Sequence, residues 1–401
     1  MQASRLLNAY KGISKEIWLL AIAMLINRSG SMILLFMSVY LTHQKHFTLS
    51  QAGTIMSLFG LGSLLGAYLG GVLNDKIGFF YTMILSLVLS GITIISLGFL
   101  NNFYFIATAT FLVTSTGDMF RPANAASISS YAKPEAYTQA IALNRLAMNI
   151  GFVIGPMLGG FLAGINYFYL FIADGLTCIS AALFIYLALP AKKHQKASHE
   201  NNTSYFTVLK DKPYMLFLFL CMIYAVCFFQ LLTALPLYYK KVYHLPESSI
   251  GWLMALNGAG VAILEMFFIY YVKNRWPEKL LIQWGILLLI LAFLTLNTGH
   301  YLGLLIINMI LLTLSEMAAM PFMSTWSMKS AKPSKMGQYM ALYSMSWSLA
   351  LIIAPYMGTR IIHRYGYDTL WYVVATLGLI TFIGFRLTHA KDQQMQVEKP
   401  Q

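Results

Sequence analysis

Charged residues are scarce in this sequence: aspartate, glutamate, lysine and arginine make up only 10% of its 401 residues. Soluble domains carry about 25% charged residues, because polar groups must cover the surface that faces water. The deficit excludes a water-soluble enzyme and a disordered chain. Cysteine is also scarce, and its three positions lie in apolar stretches without a C-x-x-C spacing (Cys178, Cys221 and Cys227). This pattern excludes a disulfide scaffold and indicates no metal site.

Hydrophobic residues, by contrast, make up 58% of the chain and occur in long uninterrupted runs. Runs of about 20 apolar residues can cross a bilayer as helices, whereas a membrane barrel would alternate apolar and polar residues. We therefore predict an all-α polytopic membrane protein with twelve transmembrane helices. The predicted spans 1 to 12 are residues 17–41, 50–73, 79–99, 103–128, 138–162, 166–189, 214–238, 249–272, 279–298, 301–327, 337–361 and 367–388.

A polar stretch divides the twelve predicted spans into two groups of six. This stretch covers residues 191–213 and includes the sequence KKHQKASHENNTSYFTVLKDKP. We predict an N-terminal six-helix bundle at residues 1–190, a cytoplasmic linker at 191–213 and a C-terminal six-helix bundle at 214–401.

An internal repeat supports the division into halves. Shifting the chain by 199 residues aligns residues 122–159 with the second half at ten identical positions. Pro122 then matches Pro321, and Pro156 matches Pro355. Paired six-helix halves are one of the repeat arrangements of secondary transporters, which bind their substrate near the middle of the membrane between the repeats.

The positions of lysine and arginine set the predicted orientation, because cytoplasmic loops carry an excess of both. With the N-terminus in the cytoplasm, 19 of the 27 basic residues fall in cytoplasmic segments and three lie within spans. The five external ones are Lys45, Lys240, Lys241, Arg360 and Arg364. We predict a multi-pass protein of the cytoplasmic (inner) membrane with both termini cytoplasmic. The net charge of +13 is then spread over short loops, so we expect no nucleic-acid partner.

Residues 71–78, GVLNDKIG, form a glycine motif between spans 2 and 3 that contains Gly71, Asp75, Lys76 and Gly78. The glycines permit close helix contact and a tight turn. Asp75 is suited to cap the start of span 3. A helix cap with no further role is the simplest interpretation of this aspartate.

Span 5 contains a second glycine motif, GFVIGPMLGG, with Gly151, Gly155, Pro156, Gly159 and Gly160. Glycines four residues apart allow another helix to approach at backbone distance, and the proline bends its own helix. Close packing without a role in coupling is the alternative interpretation of these glycines.

Through these two motifs and its topology, the chain resembles the major facilitator superfamily, and most closely the twelve-span drug/proton antiporter branch. The first motif is similar to the G-x-x-x-D-R-x-G loop of that family, with Lys76 in the place of arginine, and the second to its antiporter signature G-x-x-x-G-P-x-x-G-G. The resemblance implies a transporter whose central cavity is lined by spans 1, 4, 7 and 10. It also implies antiport.

Ionisable residues inside spans are costly and are therefore candidates for function. Arg28, Asp118 and Glu316 lie on spans 1, 4 and 10, each about 15 Å from the cytoplasmic end, because a helix rises about 1.5 Å per residue. A carboxylate in an apolar cavity takes up a proton more readily, whereas a nearby arginine favours its charged form. Glu316 has no basic neighbour in its span, so we expect it to carry the proton.

Asp118 is expected to be a paired or gating acid. Arg121 lies one turn along the same span, and Arg28 is expected across the cavity. The alternative is a static buried ion network that holds span 1 to span 4. Asp174, on span 6, is expected to be structural. Polar and aromatic side chains suited to contact a substrate are Asn27, Tyr224, Gln230, Asn257, Tyr339, Tyr343 and Trp347.

The leading functional hypothesis is proton-coupled efflux of small amphipathic molecules by alternating access, by a monomer in the bilayer and without a cofactor or metal. The alternative is a carrier of one defined polar metabolite, such as a sugar, siderophore or peptide-like solute, because mixed charges inside the spans also suit an anionic or zwitterionic solute. A membrane enzyme is a distant alternative. It would need a nucleophile, base or metal site, and all eight histidines lie in loops or at span ends.

Overall fold

The computed structural model of the protein describes residues 13–133, 136–191, 206–272, 275–330 and 336–397. Within these ranges every regular element is a helix and no strand occurs. Most of the predicted linker, residues 192–205, lies outside the described part of the chain.

The described helices follow the predicted spans closely. Those before the linker are α1 (Lys15–Ser29), α2 (Ile33–Val39) with a short π-helix (Tyr40–Gln44), α3 (Leu49–Ile77), α4 (Phe79–Leu97), α5 (Phe103–Gly117), α6 (Phe120–Tyr131), α7 (Tyr137–Ile165) and α8 (Tyr167–Ala188). The remaining helices begin with α9 (Phe206–Leu209), which lies within the predicted linker, and continue with α10 (Lys212–Phe228), α11 (Gln230–Lys241), α12 (Glu247–Val272), α13 (Glu278–Thr295), α14 (Leu302–Ser330) and α15 (Met336–Val397).

Nine helical segments within the described residues are long and apolar enough to cross a membrane. One of them, Gln338–Leu387 within α15, covers two predicted spans, and Gly366 interrupts it with a φ of 85°. Predicted span 4 consists of α5 and α6, which have 15 and 12 residues and are each too short to cross alone. The prediction of a helical membrane protein is confirmed, and the count of twelve spans stays a prediction.

The chain forms two compact units, and each contains segments from both sides of the predicted linker. Unit 1 comprises Met1–Tyr40, Leu58–Ser198 and Pro246–Ala259. Unit 2 comprises Leu41–Ser57, His199–Leu245 and Gly260–Gln401. The boundaries predicted for the two six-helix bundles stay a prediction.

In unit 1, span 4 is broken at Asp118, between α5 and α6. Pro122 lies in the first turn of α6 and has no N–H to donate to the Asp118 carbonyl, so the α5 helix cannot continue through it. Ser86 Oγ of α4 donates a hydrogen bond to Thr116 O at 2.6 Å and so supplies a donor to a carbonyl at the break. Because no water is present in a bilayer core, such a partner is needed for the break to be stable.

The helix α3 packs against this break through glycines at a spacing of four residues. A Cβ atom at Gly66 would lie 2.5 Å from the Ser115 carbonyl oxygen, and one at Gly70 would lie 2.5 Å from the Met119 carbonyl oxygen. Since these distances are shorter than real Cβ contacts, only glycine allows the helices to approach this closely. A Cβ atom at Gly71 would meet no atom within 4 Å, so the expected close contact at this position is absent.

The loop of the first motif is a single residue. Helix α3 ends at Ile77 and α4 begins at Phe79, so Gly78 alone reverses the chain, with a φ of 83° that favours glycine. Gly78 occupies the N-cap position of α4, and Asp75 lies exposed in the last turn of α3. Gly78, and not the aspartate, is thus the residue at the N-cap position, and a capping contact of the Asp75 side chain with span 3 stays a prediction. Lys76 is exposed beside it.

Unit 2 contains a second broken span at Phe229, between α10 and α11. Gln230 is fully buried at this break, and its Nε2 donates to the Ala354 carbonyl of α15 at 3.0 Å. A Cβ atom at Gly358, one turn further along α15, would collide with Gln230 Oε1. The glutamine thus joins the broken span to α15 inside the unit.

Candidate functional site

Asp118 lies at the break of span 4, where it occupies the C-cap position of α5. Its Oδ1 lies 2.9 Å from Arg121 Nε, and their side chains are 18% and 56% exposed, respectively. The predicted pair is therefore present. Arg121 is half exposed whereas Asp118 is mostly buried, so water screens this pair from the side of the arginine only.

Arg28 does not form the ion pair with Asp118 that the sequence led us to expect. Its guanidinium carbon lies 5.6 Å from the centre of the Phe152 ring, and its Nε is buried without a hydrogen-bond partner. Among the described residues no carboxylate pairs with it, although Asp118, Asp174 and Arg121 lie within electrostatic range. Helix α7 approaches at Gly151, where a Cβ atom would collide with Arg28 Cβ, and this contact fixes the base of the arginine beside Phe152.

Asp174 of α8 organises the break in span 1. Its Oδ2 accepts hydrogen bonds from the backbone N–H groups of Met32 and Ile33, both at 3.2 Å. These N–H groups lie at the start of the second helical piece of the span, where the Met32 N–H otherwise has only the Gly30 carbonyl as an acceptor, at 2.6 Å. Gly30 lies against Thr177 of the same α8 helix, where any side chain would collide. Asp174 is thus a structural acid, and it holds the span beside Arg28 in its broken form.

The second glycine motif, on α7, faces two helices within unit 1. On one side a Cβ atom at Gly155 would lie 3.3 Å from the Arg28 carbonyl oxygen, and one at Gly159 would lie 2.9 Å from Met32 Cβ. On the other side a Cβ atom at Gly160 would lie 2.6 Å from the Glu247 carbonyl oxygen at the start of α12.

This second contact has matching glycines on α12. Gly251 packs against the carbonyl of Pro156, and a Cβ atom at Gly258 would lie 2.9 Å from the Phe152 carbonyl oxygen. The motif therefore packs α7 both onto the broken span 1 and onto the first part of α12.

In unit 2 the predicted proton carrier, Glu316, lies inside the unbroken helix α14 and is partly buried. Its neighbour Ser315 is fully buried, and the Ser315 hydroxyl lies 3.0 Å from the hydroxyl of Tyr224 on α10. Tyr224 is also within electrostatic range of Glu316. The carboxylate thus lies next to a contact between spans 7 and 10.

The aromatic candidates of unit 2 occupy two places. Tyr224, Tyr343 and Trp347 form one cluster, with ring centres 6.4 Å apart for the Tyr224–Trp347 pair and 6.1 Å for the Tyr343–Trp347 pair. Tyr339 lies elsewhere: its hydroxyl donates to Asp211 Oδ2 at 2.7 Å, and Asp211 caps α10. Tyr339 therefore fastens the start of α15 to the start of α10.

The polar candidates are divided between the two units. Asn27 of unit 1 donates through Nδ2 to Cys178 Sγ at 3.6 Å, and Asn257 is partly buried on α12 in the same unit. Gln230 is enclosed by protein in unit 2. A substrate-binding role for the seven cavity candidates stays a prediction.

Several residues that make important helix contacts were not predicted from the sequence. Ser86, which contacts the break of span 4, is followed four residues later by Ser90 on the same face of a largely apolar span, and this spacing was a usable signal. Nothing in the local sequence indicates that Phe152 underlies Arg28 or that Ser315 contacts Tyr224, because both contacts join helices that are distant in the chain. No group of histidine, cysteine or acidic residues suited to hold a metal occurs among the described residues.

Broken spans with ionisable side chains at or beside the breaks are the architecture in which transporters bind substrates and ions. Unit 1 has such breaks at Gly30 and Asp118, and unit 2 has a break at Phe229 that is flanked by the uncharged Gln230. The fold and these sites therefore define a membrane transport protein.

The chain belongs to the Major Facilitator Superfamily, whose family model matches residues 20–297 and 243–401. Members of this superfamily are transporters, so the chain is a secondary transporter and not an enzyme.

The relatives are distant in sequence, but their alignments cover most of the chain. The MFS-type transporter YttB of Bacillus subtilis is 25% identical over 95% of this chain and 96% of its own length. A Na(+), Li(+), K(+)/H(+) antiporter of Planococcus maritimus is 23% identical over 82% and 85%, respectively. The multidrug resistance protein MdtH of Aeromonas hydrophila is 23% identical over 79% and 80%.

Among solved structures, the nucleoside transporter NupG has the same fold. It superposes with a TM-score of 0.79 at 15% sequence identity, covering 94% of this chain and 99% of NupG. The fold expected from the two glycine motifs is thus confirmed.

Proposed function

We propose that this transporter exports small amphipathic molecules from the cytoplasm in exchange for protons that enter. The observation that carries the proposal is Glu316, a carboxylate inside an apolar 29-residue helix and within electrostatic range of Tyr224. Carboxylates inside membrane spans form proton relays in pumps and transporters. The similarity to an ion/proton antiporter and to a multidrug resistance protein supports both the coupling ion and the direction.

In this mechanism Glu316 takes up a proton when its surroundings open to the outer side and releases it to the cytoplasm. Asp118 has the second role, as an acid paired with Arg121 at the break of span 4. Because Arg121 is half exposed, it can leave this pair for water, and the break can then change its shape as the transporter alternates. The protein acts as a monomer in the cytoplasmic membrane with both termini inside, as the excess of basic residues in the predicted cytoplasmic segments favours.

Glu316→Gln tests the proton role, because the amide keeps the size of the side chain and fixes a neutral form. We expect the variant to lose transport driven by a pH gradient and to retain exchange of substrate without a gradient. Purified protein in liposomes that contain a pH-sensitive dye would be screened against a panel of drugs and metabolites, and counterflow of the active compound would then be measured.

Glu278→Gln is the matched control, because Glu278 undergoes the same chemical change at the start of α13, where it pairs with Lys329. It should transport like the unmodified protein. Gradient-driven accumulation by Glu316→Gln would show that this glutamate is not the coupling site. If no compound of the panel caused proton release or showed counterflow, the result would contradict the proposed export.

Arg28 favours a second candidate, the transport of one defined anionic or zwitterionic solute. Its guanidinium pairs with no carboxylate among the described residues, and its Nε has no hydrogen-bond partner. A guanidinium held in this way matches the two oxygens of a carboxylate or phosphate. A lipid-soluble cation would be repelled by the same group.

Arg28→Gln distinguishes the two candidates. If the substrate is an anion, the variant should bind it about tenfold to a hundredfold more weakly, since a charge-assisted bidentate pair is lost. Arg28→Lys should restore part of the affinity. If the substrate is a cationic amphipathic compound, Arg28→Gln should leave its affinity unchanged or improve it. Substrate-dependent thermal stabilisation of the purified variants gives the affinities.

A further inference from the structure

A basic cavity lies in unit 2, at the end of predicted span 11. It is largely open to the outside, has a volume of about 440 Å³ and is lined by Ser50, Arg360, His363 and Arg364. The three basic residues are spaced so that they share one face of α15, because residues three and four apart are neighbours on a helix. None of the four lining residues is acidic. The transport roles assigned above use none of them.

Both arginines are held against aromatic rings. The guanidinium carbon of Arg360 lies 4.2 Å from the centre of the Tyr356 ring, and that of Arg364 lies 5.4 Å from the centre of the Tyr365 ring. These contacts restrict the side chains without using their N–H groups. Within the described ranges no carboxylate pairs with Arg360, His363 or Arg364. Their donors therefore remain available to a ligand.

The opposite wall of the cavity is fixed by helix packing. Ser50 lies in the first turn of α3, and Gly53, one turn later, contacts Thr359 of α15 so closely that a side chain there would collide. A Cβ atom at Gly53 would also lie 3.0 Å from the Pro355 carbonyl oxygen. This close contact holds the start of α3 beside α15, so that Ser50 lines the cavity together with the basic residues.

We propose that this cavity binds a phosphate-type anion, either the headgroup of an anionic phospholipid or a soluble phosphate. Two arginine forks, a histidine ring N–H and a hydroxyl supply the donors that phosphate oxygens require. Arg360 and Arg364 are two of the five basic residues on the predicted external side, where basic residues are depleted. Tyr356 and Tyr365 are 43% and 60% exposed, as in the aromatic belts that mark the membrane interface, where lipid phosphates lie.

The test compares the full-length protein with the double variant Arg360→Gln/Arg364→Gln. Binding of phosphatidylglycerol would be measured by native mass spectrometry of protein taken from nanodiscs that contain phosphatidylglycerol and phosphatidylcholine. Binding of inorganic phosphate would be measured by equilibrium dialysis. We expect the double variant to lose about tenfold or more in affinity, because two charge-assisted contacts are removed.

Lys240→Gln/Lys241→Gln is the matched control, since it removes the same two charges from another predicted external segment of unit 2 and should bind normally. Arg364→Gln alone, with a smaller loss, keeps the test valid if the double variant folds poorly. Binding of phosphatidylglycerol alone identifies a lipid site, and binding of both probes identifies a general phosphate site. Equal binding by the variants and the unmodified protein, or equal losses in the lysine control, would overturn the proposal.

Discussion

Replacement of both Gly155 and Gly159 by leucine should abolish transport while the protein still inserts into the membrane. A Cβ atom at these positions would already lie 3.3 Å from the Arg28 carbonyl oxygen and 2.9 Å from Met32 Cβ. Each leucine adds three further carbon atoms, so α7 must move away from the broken span 1. Insertion depends on apolar length, which leucine preserves, whereas alternating access depends on this close helix contact.

Gly164→Leu is the control for this prediction, because a Cβ atom at Gly164, on the same α7 helix, meets no atom within 4 Å. It should insert and transport normally. Transport would be measured as gradient-driven movement of the active compound in liposomes, and insertion as the yield of monodisperse protein from membranes. Normal transport by the Gly155→Leu/Gly159→Leu variant would show that the glycines have no part in function.

Asp174→Ala should cause the largest loss of stability of any single substitution considered. The change leaves the buried backbone N–H of Ile33 without an acceptor and removes one of the two acceptors of the Met32 N–H, which also donates to the Gly30 carbonyl at 2.6 Å. A buried donor without a partner costs about 1–3 kcal/mol, and the weakened bonding of the Met32 N–H adds to this cost. Asp174→Asn keeps one oxygen that can accept these bonds and should recover part of the stability.

The melting temperatures of both Asp174 variants would be measured on purified protein in detergent. Asp368→Ala serves as the control, because Asp368 is exposed on α15 and its substitution should change stability by no more than about 0.5 kcal/mol. A melting temperature of Asp174→Ala close to that of the control would contradict the structural role of Asp174. A double-mutant cycle that combines Arg28→Gln with Asp174→Ala would measure how strongly the two charges interact.

The membrane class, the helical fold and the superfamily could be predicted from the sequence because they depend on properties of contiguous residues. Long apolar runs define helices that cross a bilayer, and the motifs that contain Gly78 and Gly155 lie within single short segments. The pairing of Asp118 with Arg121 was predictable for the same reason, since the two residues are separated by one helical turn. A pattern within one short segment does not, however, identify a contact partner on a helix that is distant in the sequence.

The tertiary structure alone decided which side chain satisfies each break in the spans. Asp174 lies 142 residues from Met32, and only helix packing brings its carboxylate to the start of α2. Packing also placed Arg28 over Phe152 instead of beside Asp118, because Gly151 admits the base of the arginine. The physical reason is common to both cases. In an apolar interior the contacts of a polar group are those that helix packing brings near it, and this proximity is a property of the fold, which no single segment contains.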